Sequence, residues 1–290
     1  MIKVQKLIAR DLSSPIRLRF LLAGLLVHCL SMPVTAHGPG HDEINKITAQ
    51  LSEQGEQADL YLKRGRIFES NQLWQEAMDD FNRAAQLDAG YVEFDLDRAR
   101  LSYSAGDYLR ALDFINLYLL RDGFTTEAWL IQARSYRQLS QYQQAVKSYQ
   151  AAMTNLSNFE ARPLPEWYIE FADTLLLTGD KVKALAIMQK GIDRLGAISV
   201  FQVKAAELEV DLGLYDSALG RIDQLLSQSQ RKDLWLARRA DILSRAGRQQ
   251  EARQTYAEAL AALQRLPLRM QNQPVSRELA DSLQARIAAR

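Results

Sequence analysis

Six alanines recur at a nearly constant interval along the chain, and no other feature narrows the possible folds as much. Ala77, Ala111, Ala145, Ala184, Ala218 and Ala252 follow one another at spacings of 34, 34, 39, 34 and 34 residues. A fixed period of about 20 to 50 residues marks repeat architectures, in which a unit buries its apolar face only by stacking on its neighbours. One five-residue insertion accounts for the longer interval.

Large and small residues recur at fixed offsets around those alanines, so the period does not merely reflect alanine abundance. Units beginning at residues 58, 92, 126, 165, 199 and 233 put each alanine at position 20. In the third unit Trp129, Ala133, Tyr136, Tyr142, Ala145, Tyr149 and Ala152 occupy positions 4, 8, 11, 17, 20, 24 and 27. Position 8 in the other units reads Gly65, Ala99, Ala172, Ala206 and Ala240, and position 24 reads Phe81, Ile115, Met188, Ile222 and Tyr256. Small residues at 8, 20 and 27 suit close helix crossings, and the large ones fill the space between helices. Position 15 is Gly106, Gly179, Gly213 or Gly247 in four units, as expected where a helix ends in the left-handed conformation. Gln72 and Ser140 depart from it.

This pattern, running over residues 58–266, resembles the tetratricopeptide repeat family. The resemblance implies an all-α, right-handed superhelical solenoid of about six helix-turn-helix hairpins with capping helices at both ends. Amphipathic segments stand where such caps are needed: Asp42 to Gln54 carries Ile44, Ile47 and Leu51, and Ser276 to Arg290 carries Leu279, Leu283 and Ile287. The expected plan is a leading segment over 1–36, a flexible His/Gly stretch and lead-in helix over 37–57, and three repeats over 58–159. An insertion at 160–164, three repeats over 165–266 and a capping helix in 267–290 complete it. Pro163 and Pro165 prevent a continuous helix through the insertion.

The leading segment holds Lys3, Lys6, Arg10, Arg17 and Arg19 against Asp11, then the apolar run Phe20 to Leu30 and the small-residue stretch Val34-Thr35-Ala36. That is the layout of an export signal, with cleavage expected after Ala36 and a periplasmic destination. The run is shorter than the ~20 residues a spanning helix needs. Retention as an anchor is the alternative, and would supply the chain's membrane contact. Cys29, the sole cysteine, lies inside the run, so the repeats are expected to hold together by packing without disulfides. Cleavage would expose His37-Gly38-Pro39-Gly40-His41-Asp42-Glu43, where His37 and His41 with the free amine could take copper or zinc. A floppy tail with no metal is the alternative there.

Catalytic chemistry is poorly supplied. All three histidines precede residue 42, so no Ser-His-Asp, Cys-His or His-metal site can form within the repeats. A formal charge of +1 lacks the basic excess that drives nucleic-acid binding. The tryptophans Trp74, Trp129, Trp167 and Trp235 fall at or beside packing positions, where core filling is expected. The chain therefore reads as a non-enzyme without a cofactor, a scaffold or adaptor of the cell envelope. A metal-handling accessory protein is the alternative.

The resemblance implies a protein or peptide partner held on a concave surface lined by positions 2, 5, 9, 12 and 13. Position 5 reads Leu62, Leu96, Leu130, Ile169, Val203 and Ala237, an apolar strip. Position 9 reads Arg66, Arg100 and Arg134, then Asp173, Glu207 and Asp241. Two readings of the sorted charges stay open: a bipolar groove that orients a ligand, or local ion pairs on a solvated face. The family's carboxylate clamp uses lysine at position 5 and asparagine at position 9 of its first repeat; Leu62 and Arg66 stand there, so that clamp is not expected.

Overall fold

The computed structural model describes residues 40–121, 124–158 and 163–289. The leading segment, His37 and residues 160–162 of the insertion lie outside the described residues. Among the described residues there are fifteen α-helices and no strand. A lead-in helix α1 (His41–Gln54) precedes three hairpins, α2 (Ala58–Ser70) with α3 (Trp74–Leu87), α4 (Glu93–Ser104) with α5 (Tyr108–Leu120), and α6 (Thr126–Gln138) with α7 (Tyr142–Asn158). Three more follow: α8 (Pro165–Leu177) with α9 (Lys181–Leu195), α10 (Ser199–Asp211) with α11 (Tyr215–Gln228), and α12 (Lys232–Arg245) with α13 (Gln249–Gln264). A short α14 (Leu268–Gln271) leads to α15 (Pro274–Ala288). Each hairpin stacks on the next, α1 lies against α2, and α15 lies against α13.

The same turn closes every hairpin. Gly106, Gly179, Gly213 and Gly247 sit at φ between +77° and +84°, and Gln72 and Ser140 take the same left-handed conformation at φ +60° and +58°. The amide one residue later donates back to a carbonyl in the last turn of the first helix, from Leu73, Asp107, Gln141, Asp180, Leu214 and Arg248, at 2.7–3.0 Å. This satisfies carbonyls that a helix end leaves without partners and aims the second helix back along the first. Asp107 and Asp180 also cap their second helices, accepting from the Arg110 and Lys183 amides.

Close approach of the two helices explains the small residues. All six position-20 alanines are buried, as are Ala99, Ala133, Ala172, Ala206 and Ala240 at position 8. Gly65, also buried, must be glycine at that crossing, because a Cβ there would lie 2.5 Å from Cε1 of Phe81.

Position 27 differs from the sequence expectation of a small residue throughout. It is Ala84, Ala152, Gly191 and Ala259 in four repeats but Tyr118 and Leu225 in the other two, both buried. The reason lies in position 4 of the same repeat. Tyr61, Trp129, Tyr168 and Leu236 stand there where position 27 is small, whereas Asp95 and Gln202 stand there where it is large. A Cβ on Gly191 would lie 3.2 Å from Cγ of Tyr168, so the two positions share one volume and a close-packed interior fills it from either side.

The resulting core is a series of apolar clusters strung along the stack. One joins α6 and α7 to the fourth hairpin and α10 through Tyr149, Phe171, Met188 and Phe201. The last joins α10–α13 to α15, with Leu283 of α15 fully enclosed. The four tryptophans pack partly buried against these clusters.

Candidate functional site

The charges at position 9 have partners, and the partners obey a rule. Arg66 of α2 pairs with Asp97 of α4 (3.3 Å), Arg134 of α6 with Glu170 of α8 (2.8 Å), Asp173 of α8 with Lys204 of α10 (2.5 Å), and Glu207 of α10 with Arg238 of α12 (3.3 Å). In each case position 9 of one repeat meets position 6 of the next. Arg100 is the exception, because position 6 of its neighbour is Ile131; it reaches Asp97, Glu69 and Glu127 instead. The last link uses the cap: Asp241 pairs with Arg286 of α15 and accepts from the Tyr256 hydroxyl at 2.7 Å.

The two sorted columns of charge are therefore complementary, and each pair cancels most of its own field over a few ångströms. Of the two sequence readings, the structure shows local ion pairs, a ladder that pins successive first helices together. The Glu207–Arg238 and Asp241–Arg286 pairs are about half exposed, and pairs so exposed contribute about 0–1 kcal/mol each. Glu170 has two donating partners. It receives the Arg134 guanidinium through two nitrogens and the Tyr149 hydroxyl at 3.2 Å, while burial pushes the Tyr149 hydroxyl pKa upward.

The apolar strip at position 5 is also unequal along its length. Leu96 and Leu130 are 6% and 3% exposed and belong to the core, whereas Leu62, Ile169 and Val203 are only partly buried. Ala237 is buried at 9%. Two adjoining cavities open on the first-helix side where Ile169 and Val203 lie. One is lined by Ile169, Val200, Val203 and Lys204, and the other by Val203, Ala206, Val210 and Ile242, with Glu207, Arg238 and Asp241 at its edge. Position 2 follows the same division: Asp59, Glu93, Glu127 and Glu166 in the first four repeats, then Val200 and Leu234, both exposed.

A second polar seam, on the side of the second helices, escaped the sequence reading. Arg98 donates to Asn82 (3.3 Å), Gln132 to Asn116 (2.8 Å), Arg221 to Gln189 (3.0 Å) and Arg239 to Asp223 (2.8 Å). Each bond links position 7 or 23 of one repeat to position 25 of the repeat before. The residue types vary between junctions, so only the constant spacing, 16 residues in three of the four, could have revealed it.

His41 is exposed at the start of α1. Among the described residues no group of three or more His, Cys, Asp or Glu side chains is placed to hold a metal ion. No described helix is long and apolar enough to cross a membrane.

Two-helix units stacked in one direction, joined by repeated ion pairs and closed by a helix at each end, define an α-solenoid repeat protein. Sequence models of the tetratricopeptide repeat match residues 126–154 and 203–267, and the chain is a tetratricopeptide-repeat protein. Solved structures of similar fold include the MamA protein, at 16% identity and TM-score 0.52, covering 60% of this chain and 93% of that one. YrrB, described as a tetratricopeptide-repeat protein with an unusual peptide-binding site, is similar at 14% identity and TM-score 0.53, over 71% of this chain and 97% of its own. The C-terminal part of a repeat-containing protein from Cytophaga hutchinsonii gives TM-score 0.57 at 15% identity, over 78% and 93%. Likeness at these identities is a likeness of fold. No curated protein matches the sequence.

Proposed function

We propose that the chain is a non-catalytic scaffold that holds a segment of a partner protein on the concave face of its last three repeats. The observation that carries this is the pair of cavities meeting at Val203, with Ile169, Val200, Val210 and Ile242 as an apolar floor. Burial of apolar anchors in such a floor supplies affinity, and the flanking pairs Asp173–Lys204 and Glu207–Arg238 offer polar contacts that fix register. Leu62, Leu96 and Leu130 with Arg66, Arg100 and Arg134 continue the same face, and serve the stack more than the ligand.

The test uses arrayed 15-residue peptides probed with the full chain. Val203→Asp is expected to lower capture by about tenfold, as loss of a central apolar anchor does, with little change in melting. Leu96→Ala is expected to lower stability by about 2–5 kcal/mol and leave capture by the surviving folded protein unchanged. Equal capture by wild type and Val203→Asp would overturn the reading.

We further propose that residues 1–36 direct export to the cell envelope, on the strength of the basic flank and short apolar run alone. Mass spectrometry of the protein from its own cells is expected to find a chain beginning at His37. An intact Met1 in the membrane fraction would replace cleavage with anchoring.

A further inference from the structure

The second-helix seam crosses four of the five junctions between hairpins and is missing at one. Between the third and fourth repeats the corresponding positions hold Gln150, Phe171 and Ile187, and no side-chain hydrogen bond joins these three. In its place lies a cleft of about 660 Å³ between α7 and α9, with α8 beneath. Its floor is Tyr168, Phe171, Leu175 and Ile187, and Val146 and Met153 form one wall. Here α7 also meets α8 less extensively than neighbouring hairpins meet elsewhere among the described residues.

The opposite wall is cationic. Lys183, Lys190 and Arg194 line the cleft along α9, against one carboxylate, Asp193, which accepts from Gln189. Lys183 pairs with Asp180 at 2.8 Å, whereas Lys190 and Arg194 make no ion pair among the described residues. Their spacing of seven and then four residues sets all three on one side of α9, over about 16 Å at 1.5 Å per residue.

We propose that this cleft is a second docking site, distinct from the concave face, for an amphipathic helix of a partner protein carrying an acidic flank. The helical form follows from the walls: both are helices whose backbone groups are already bonded, so an occupant of the apolar cleft must satisfy its own backbone internally. The acidic flank follows from Lys190 and Arg194, which have no ion-pair partner among the described residues and face the cleft beside a single carboxylate. Three turns of helix match their span, and its apolar side chains enter the space that the missing seam leaves open.

The test uses three fluorescein-labelled helical peptides with one apolar face and flanks of Glu, Gln or Lys, titrated against the full chain by anisotropy. Affinity is expected to fall in the order Glu, Gln, Lys, with about tenfold between the ends, and Lys190→Glu with Arg194→Glu is expected to reverse that order. Ile187→Arg, which gives the fourth repeat the residue that Arg221 is in the fifth, is expected to bridge to Gln150, close the cleft and abolish binding of all three peptides. Val203→Asp on the concave face is expected to leave these affinities unchanged. Thermal melts of each variant confirm folding. The proposal is overturned if the three peptides bind alike, if no peptide binds, or if the charge reversal changes nothing.

Discussion

Gly65 and Gly191 both lie where helices cross, and the distances rank them. A methyl group at Gly65 would meet the Phe81 ring at 2.5 Å, and one at Gly191 would meet Phe201 at 3.0 Å and Tyr168 at 3.2 Å. Gly65→Ala is therefore expected to cost about 1–3 kcal/mol in urea unfolding, and Gly191→Ala less, because its neighbours need move only a few tenths of an ångström. Reducing the ring with Phe81→Leu is expected to recover part of the first loss, which a mere helix-propensity effect would not allow. The hairpin turns give the opposite sign. Ser140 holds φ +58° in a position that four other repeats give to glycine, and an L-residue there carries about 1–2 kcal/mol of steric cost. Ser140→Gly is expected to raise stability by about 0.5–1 kcal/mol, since glycine's larger unfolded-state entropy returns part of the gain. Unchanged or lowered urea midpoints would mean that the serine is not strained.

Between hairpins, the chemistry of the junction shows in Glu69 at the end of α2. Burial pushes its carboxyl above the ordinary value of 4.5; Arg100 opposes the shift without cancelling it, and Asp97 adds to it. A raised folded-state pKa means that the folded chain binds this proton more tightly than the unfolded one. The associated stability is full below the unfolded pKa and is lost as pH rises through the folded pKa. Glu69→Gln cannot ionise, so its stability relative to wild type is expected to grow between pH 4 and pH 7, read from urea midpoints. A difference that stays flat or shrinks would contradict the shift. Such junction details were the part of the molecule least legible in the sequence. The period, the position-8 and position-20 alanines and the cap segments could be read because each repeats one residue type. The ladder pairs swap sign half-way, and the seam changes from Arg–Asn to Gln–Asn to Arg–Gln to Arg–Asp, so only geometry shows that they are the same contact. Position 5 misled for a related reason: leucine in a column of apolar residues looks the same whether its side chain is enclosed, as Leu96 and Leu130 are, or partly open, as Ile169 and Val203 are.

At the scale of the whole molecule, every extensive contact between hairpins among the described residues joins neighbours, so stability is close to a sum of repeat and junction contributions along one dimension. An end helix then matters most to the repeat beside it. Two side chains of α15 make very different contacts with the last hairpin. Arg286 has an ion pair to Asp241, a hydrogen bond to the Tyr256 hydroxyl at 2.8 Å and a cation–π contact with that ring at 5.4 Å, yet it is about half exposed. Leu283 makes no polar contact but is 1% exposed within the cluster of Leu243, Tyr256 and Ala259. Solvent screening holds the exposed pair to about 0–1 kcal/mol, while removing an enclosed leucine costs about 2–5 kcal/mol. Leu283→Ala is therefore expected to destabilise far more than Arg286→Ala, despite the larger number of named interactions at the arginine. Hydrogen exchange of the Leu283→Ala chain is expected to show where that loss goes: amides of α13 and α12 lose most protection, α10 and α11 less, and α2 to α5 none. Loss spread evenly from α2 to α15 would mean that the stack opens as one unit, and that the terminal helix stabilises every repeat alike.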